Sequence, residues 1–95
     1  MSPAAYLDRH ADDLTGLLRR LVTLPTVNPP GVQYDDITAL LTRELRALGL
    51  IARRYTLSKA ELRRHLPPEQ RGYPRYNVLG QLAVRGAKKT VHFNA

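Results

Sequence analysis

Leu7, Ala11, Leu14, Leu17, Leu18, Leu21 and Val22 recur at spacings of three and four, which puts them on one helical stripe. Asp12, Asp13, Arg19 and Arg20 fall largely on the opposite side. The spacing predicts one amphipathic helix from about Ala4 to Thr23. Ser2 or Pro3 opens it, and Pro25 bounds it, because the residue before a proline is biased away from the helical region. Pro25-Thr26-Val27-Asn28-Pro29-Pro30-Gly31 is too rich in proline for helix or central strand. A stiff connector is expected there, with Thr26 and Val27 tucked against the first helix. A second helical stripe follows at Ile37, Leu40, Leu41, Leu45 and Leu48. Asp35 and Asp36 occupy its first turn, where the helix dipole favours carboxylates. Gly49 stands where a helix ends on a left-handed glycine.

Beyond Gly49 the pattern shortens. Leu50 to Tyr55 reads as a strand, and the Arg53-Arg54 pair marks it as an edge. Ser58-Lys59-Ala60-Glu61 is a capping box in which the serine accepts the Glu61 amide and the glutamate reaches back to the Ser58 amide. Leu57 and Leu62 form its hydrophobic staple. A short helix from Lys59 to about His65 stops at Pro67-Pro68, and Glu69 to Tyr76 is polar and loop-like. Asn77 to Val84 and Thr90 to Ala95 are the last two strands, joined through Arg85 to Lys89 as a hairpin with a glycine turn. The expected fold class is α/β: two amphipathic helices, a short helix and about three strands of a mixed sheet. The final apolar strand runs to Ala95 with no polar tail, and such strands want more sheet to pair with. Residues 1–95 are therefore expected to be the incomplete N-terminal part of a larger α/β domain, truncated within it.

Composition narrows the function classes. Ninety-five residues, 43% hydrophobic and 24% charged, describe one globular domain at most. The absence of cysteine excludes a disulfide scaffold, a thiolate metal site and a cysteine nucleophile. No apolar run approaches the roughly 18 residues of a membrane span, and Met1-Ser2-Pro3-Ala4-Ala5 lacks a signal pattern. The expectation is a cytoplasmic protein with no membrane partner. The net charge of +7 raises nucleic acid as a partner. However, the cations are scattered as Arg19-Arg20, Arg53-Arg54, Arg63-Arg64 and Lys88-Lys89, a spread that solvates faces more than it binds a polyanion. A small basic α/β module binding nucleic acid or another acidic partner stands as the alternative reading.

No local motif assigns an active site. His10, His65 and His92 match no histidine-pair metal motif. His65 at a helix C-terminus suits a dipole interaction, and His92 is expected on a strand face near the sheet centre. Neighbouring carboxylates on a helix point about 100° apart, so neither Asp12-Asp13 nor Asp35-Asp36 converges on one metal. Ser2 and Ser58 lie in no nucleophile elbow, and Gly72, Gly80 and Gly86 are isolated. Tyr73 and Tyr76 flank Pro74-Arg75, an aromatic-basic cluster that fits base stacking or packing of the loop onto its own sheet equally well. Catalytic, cofactor-binding and metal-ligating residues are thus expected to be none within this chain.

Leu17-Leu18-Arg19-Arg20-Leu21-Val22-Thr23-Leu24-Pro25-Thr26-Val27-Asn28-Pro29-Pro30-Gly31 resembles the opening of the zinc-dependent amidohydrolases of metallopeptidase family 20. That family includes acetylornithine deacetylase, succinyl-diaminopimelate desuccinylase, aminoacylase and the glutamate carboxypeptidases. Its members share an amphipathic helix, a turn of the form Pro-Ser/Thr-Val-Asn-Pro-Pro-Gly and a second helix ending in Leu-Gly, here Leu45-Arg46-Ala47-Leu48-Gly49. An Asn-Val strand (Asn77-Val78-Leu79-Gly80) and an apolar strand (Val91-His92-Phe93-Asn94-Ala95) complete a likeness that spans essentially the whole chain. The resemblance implies a zinc-peptidase-like mixed-sheet catalytic domain that hydrolyses an amide bond of an N-acyl amino acid or small peptide. Two zinc ions roughly 3.5–4 Å apart would acidify a bridging water while a glutamate shuttles its proton to the leaving amine. In the family the apolar strand leads directly into His-x-Asp-x-Val-Pro, so the first ligand is expected just past Ala95. His92 lies ahead of that position and is not nominated. This segment is expected to be inactive alone and to hold no zinc, and a homodimer is expected only with the family's later lid domain present.

Overall fold

Ser2 accepts the Ala5 amide at 3.1 Å and Pro3 fills the first turn, which starts α1 (Pro3–Arg9). The computed structural model describes residues 2–28 and 30–95. The single helix expected from Ala4 to Thr23 is divided at His10, whose φ of −110° and ψ of 18° leave the helical region, and α2 (Ala11–Val22) follows. Side-chain partners on both helices hold the break. The His10 ring stacks on Tyr6 at 4.1 Å between centroids, and its Nδ1 lies 2.8 Å from an Asp13 carboxylate oxygen. The backbone still bonds across the break, with the Leu14 amide donating to the His10 carbonyl at 3.0 Å. The predicted apolar stripe exists, but Leu7, Leu14, Leu18 and Val22 remain exposed and neither helix buries a residue.

Backbone hydrogen bonds close a turn at Val27. The Val27 carbonyl accepts both the Gly31 amide at 2.8 Å and the Val32 amide at 3.1 Å. That tight turn points the Val27 side chain outward, so Val27 is exposed instead of tucked against the first helix; Thr26 is half-buried. Pro29, part of the connector expected from the sequence, lies outside the described residues.

Gln33, at φ 59°, leads into α3 (Tyr34–Ala47), with Asp35 and Asp36 in the first turn as expected. The helix ends on Gly49 at φ 89°. The Gly49 amide donates to Arg46 at 3.0 Å and the Leu50 amide to Leu45 at 3.1 Å, the paired bonds of a Schellman motif. The buried side differs from the predicted stripe. Leu40 is buried, Ile37, Leu41 and Leu45 are half-buried, and Leu48 is exposed, while Thr38 and Thr42 are buried. The threonine hydroxyls are satisfied within the helix, Thr38 donating to the Tyr34 carbonyl and Thr42 to the Thr38 carbonyl at 2.6 Å. Small side chains on this line let α3 lie close to the sheet.

That sheet is β1 (Ile51–Thr56) paired antiparallel with β2 (Tyr76–Gln81), in the register Ala52 opposite Gly80, Arg54 opposite Val78 and Thr56 opposite Tyr76. Ala52 and Gly80 meet α3. Ala52 is buried and its carbonyl accepts Arg46 at 3.0 Å, while Leu45 and Leu50 close over Gly80. Between the strands, α4 (Lys59–His65) starts where Ser58 accepts the Glu61 amide at 3.1 Å. The reciprocal half of the capping box takes another form: the Ser58 hydroxyl donates to the Glu61 carboxylate at 3.1 Å. Leu62 anchors α4, and Arg71 binds the carbonyls of Leu66 and Arg63.

The predicted second strand shortens to Gln81, and the third strand, Thr90 to Ala95, does not form. A turn closes at Gly86, φ 77°, with the Ala87 amide donating to Val84 at 3.1 Å. No strand grows from it, because Val91 and Phe93 are 75% and 89% exposed and nothing buries a face of the segment. The result is a small mixed α/β arrangement of four α-helices and a two-stranded antiparallel sheet among the described residues. Its radius of gyration is 16.4 Å, against about 12 Å for a compact chain of this length. Leu40, Ala52 and Leu62 are its only buried apolar residues among those described.

Candidate functional site

The best-built polar region joins the connector to the start of β2. Arg75 donates from Nη1 to the Tyr34 hydroxyl at 3.2 Å and from Nη2 to the Pro30 carbonyl, and its guanidinium lies 5.1 Å from the Tyr34 ring centre. Gly31 stands directly under that guanidinium. At φ 98° it adopts a conformation side chains rarely take, and a Cβ there would overlap the guanidinium carbon and Nη1 of Arg75. The Arg75 carbonyl also accepts the Leu57 amide at 2.9 Å, extending the β1–β2 ladder by one bond. One residue thus ties together the connector, the first residue of α3 and the sheet.

A second cluster lies one residue along. The Arg54 guanidinium sits 4.3 Å from the Tyr76 ring centre, 3.6 Å from an Asp35 carboxylate oxygen and 3.4 Å from the Thr38 hydroxyl. Hydrogen bonding to the Asp35 carboxylate, then desolvation and that carboxylate's charge, push the Tyr76 phenol above its ordinary value of 10.0, while Arg54 opposes them. A raised pKa means that the folded state holds the proton more tightly. The associated stability is present below pH 10.0 and is lost as pH rises through the folded value. Asp35→Asn is expected to bring the Tyr76 titration, followed by its ring resonances in NMR, back down towards the ordinary value. An unmoved titration would remove Asp35 as the cause.

The residues weighed from sequence are dispersed. His10 pairs with Asp13 on the surface, and His65 is exposed at the end of α4. His92, expected on a strand face, lies exposed in the irregular segment after β2, because that strand does not form. Asp35 turns to Arg54 and Tyr76, a role beyond helix capping that adjacency in sequence gave no sign of. In the aromatic-basic cluster, the Arg75 side chain packs on Tyr34 of α3 and the Pro30 carbonyl instead of the sheet, Tyr76 lies within β2 against Arg54, and Tyr73 is exposed. Sequence reasoning missed Tyr34 and Gly31 as the partners of Arg75, since the Tyr34–Arg75 pair is separated by 41 positions with no periodic signal.

Among the described residues no group of three or more His, Asp or Glu side chains could hold a metal ion. No helix among the described residues is long and apolar enough to cross a membrane. Comparison with protein-family models, curated proteins and solved structures finds no match. What the arrangement does physically is positioning: it clamps a proline-rich turn to the sheet.

Proposed function

We propose that this chain is the N-terminal scaffold segment of a metal-dependent amidohydrolase acting on an N-acyl amino acid or small peptide. The observation that carries the reading is the Pro25–Gly31 turn. Its sequence resembles the turn of the metallopeptidase family 20 enzymes, and its closing glycine takes the left-handed φ of 98° that side chains rarely adopt. The uncovered apolar surface supports it further. Ile51, Tyr55 and Leu79 share the sheet face turned away from α3 and are 58%, 49% and 48% exposed. Apolar area of this kind gains about 25 cal/mol per Å² when covered, so further protein packed on that face would stabilise the sheet. In this reading zinc, its ligands and the substrate contacts belong to residues following this segment. The segment itself supplies the sheet and the turn that orient them. Reading the source DNA past the codon for Ala95 tests the proposal. The expected result is an open frame that continues through His-x-Asp with a proline soon after. A stop codon there would overturn it.

A further inference from the structure

A cleft of about 820 Å³ opens between α2, α3 and β1, within the roughly 300–1,000 Å³ range of small-molecule sites. Four arginines line it: Arg20 from α2, Arg43 and Arg46 from α3, and Arg54 from β1. We propose that this cleft binds a small polyanion, one molecule bearing two or more phosphate or carboxylate groups.

Arg20 is matched by Glu44 at 2.7 Å and Arg54 by Asp35 at 3.6 Å. Arg46 spends one nitrogen on the neutral Ala52 carbonyl. Arg43 is exposed and makes no hydrogen bond or ion pair among the described residues. Arg43 and Arg46 together therefore face a single lining carboxylate, Asp36. Each guanidinium carries five N–H donors in a planar fork matched to carboxylate and phosphate oxygens, so even the paired arginines keep donors free. Donors arriving from three separate elements suit several anionic groups on one molecule better than a single one. The cleft is open to solvent, and Leu24 and Leu40 add apolar surface beside the arginines. The scattered cations of the sequence conceal this convergence, because Arg20, Arg43 and Arg54 come from elements far apart along the chain.

Calorimetric titration of the full chain with inorganic tripolyphosphate and with citrate tests the proposal. The expected result is saturable binding of one molecule per chain, weakening as NaCl is raised. The tighter of the two probes identifies the head group. Arg43→Gln is expected to weaken binding at least about tenfold, the effect of losing one hydrogen bond to a charged group. Its exposure keeps the fold intact. Arg85→Gln removes a cation outside the cleft and is expected to change affinity less than about twofold, the behaviour of an exposed, screened charge. Absence of saturable binding by both probes overturns the proposal. Equal losses in the two variants overturn it as well, reducing the effect to the general attraction of a +7 chain. Tighter uptake of duplex DNA, weakened alike by both substitutions, would replace it with a nucleic-acid surface.

Discussion

Gly31→Ala is expected to destabilise the fold by about 2–3 kcal/mol, left-handed backbone strain plus the cost of displacing the movable Arg75 guanidinium from Pro30 and Tyr34. Gly31 sits at φ 98° with the Arg75 guanidinium where a Cβ would go. Gly49 provides the control. It has nearly the same backbone requirement, φ 89°, but nothing lies within 4 Å of the position a Cβ would take. Gly49→Ala is therefore expected to cost about 1–2 kcal/mol, the backbone contribution alone. Urea denaturation of the two variants beside the parent chain separates strain from contact. Equal midpoints would mean that Arg75 yields freely and that the connector is not clamped.

Arg75→Met carries the second large effect, expected at about 2–3 kcal/mol. Methionine keeps much of the apolar stem but deletes every donor. The Pro30 carbonyl and Tyr34 hydroxyl lose their Arg75 hydrogen bonds, and the contact with the Tyr34 ring is lost as well. A hydrogen bond to a charged group is worth about 1.5–3 kcal/mol, and cation–π contact adds about 0.5–2. Desolvation offsets part of this gain, because Arg75 Nε is buried without a hydrogen-bond partner among the described residues. Arg75→Lys is expected to recover less than half of the loss, since an ammonium is a point donor and does not span Pro30 and Tyr34 as a planar fork does. Full recovery by lysine would show that charge alone matters there. Combining Gly31→Ala with Arg75→Met should cost less than the sum of the two, because removing the guanidinium removes the object the new methyl strikes.

Much of the architecture was legible along the chain because its cause is local. The break after Val22, the left-handed stop at Gly49, the capping serine at Ser58 and the halt at Pro67 each depend on residues within a few positions of one another. The same reasoning failed at His10, where a helical stripe continued but stacking on Tyr6 and pairing with Asp13 held a kink. It also failed at Thr90 to Ala95. Apolar alternation there marks a segment able to be a strand, yet strand formation needs a partner edge and a face to bury. Of the polar clusters, the Tyr-Pro-Arg-Tyr run was visible as a candidate, but its partners were not. Tyr34, Pro30 and Gly31 meet Arg75 only after the chain has folded back through α3, β1 and α4.

By itself, then, the sequence determined where α3 and α4 begin and end, which segment is a proline-rich turn, and that no cysteine chemistry or long apolar helix is written here. Those properties follow from backbone restriction by proline and glycine and from periodicity, which act over a turn or two. Only the tertiary structure decided which face of α3 is buried, that Arg75 clamps the turn, and that four separated arginines share one cleft. Each of these depends on the angle and depth at which α3 meets the sheet. That packing is set by side chains brought together from distant positions, above all the close approach that Thr38, Thr42, Ala52 and Gly80 permit.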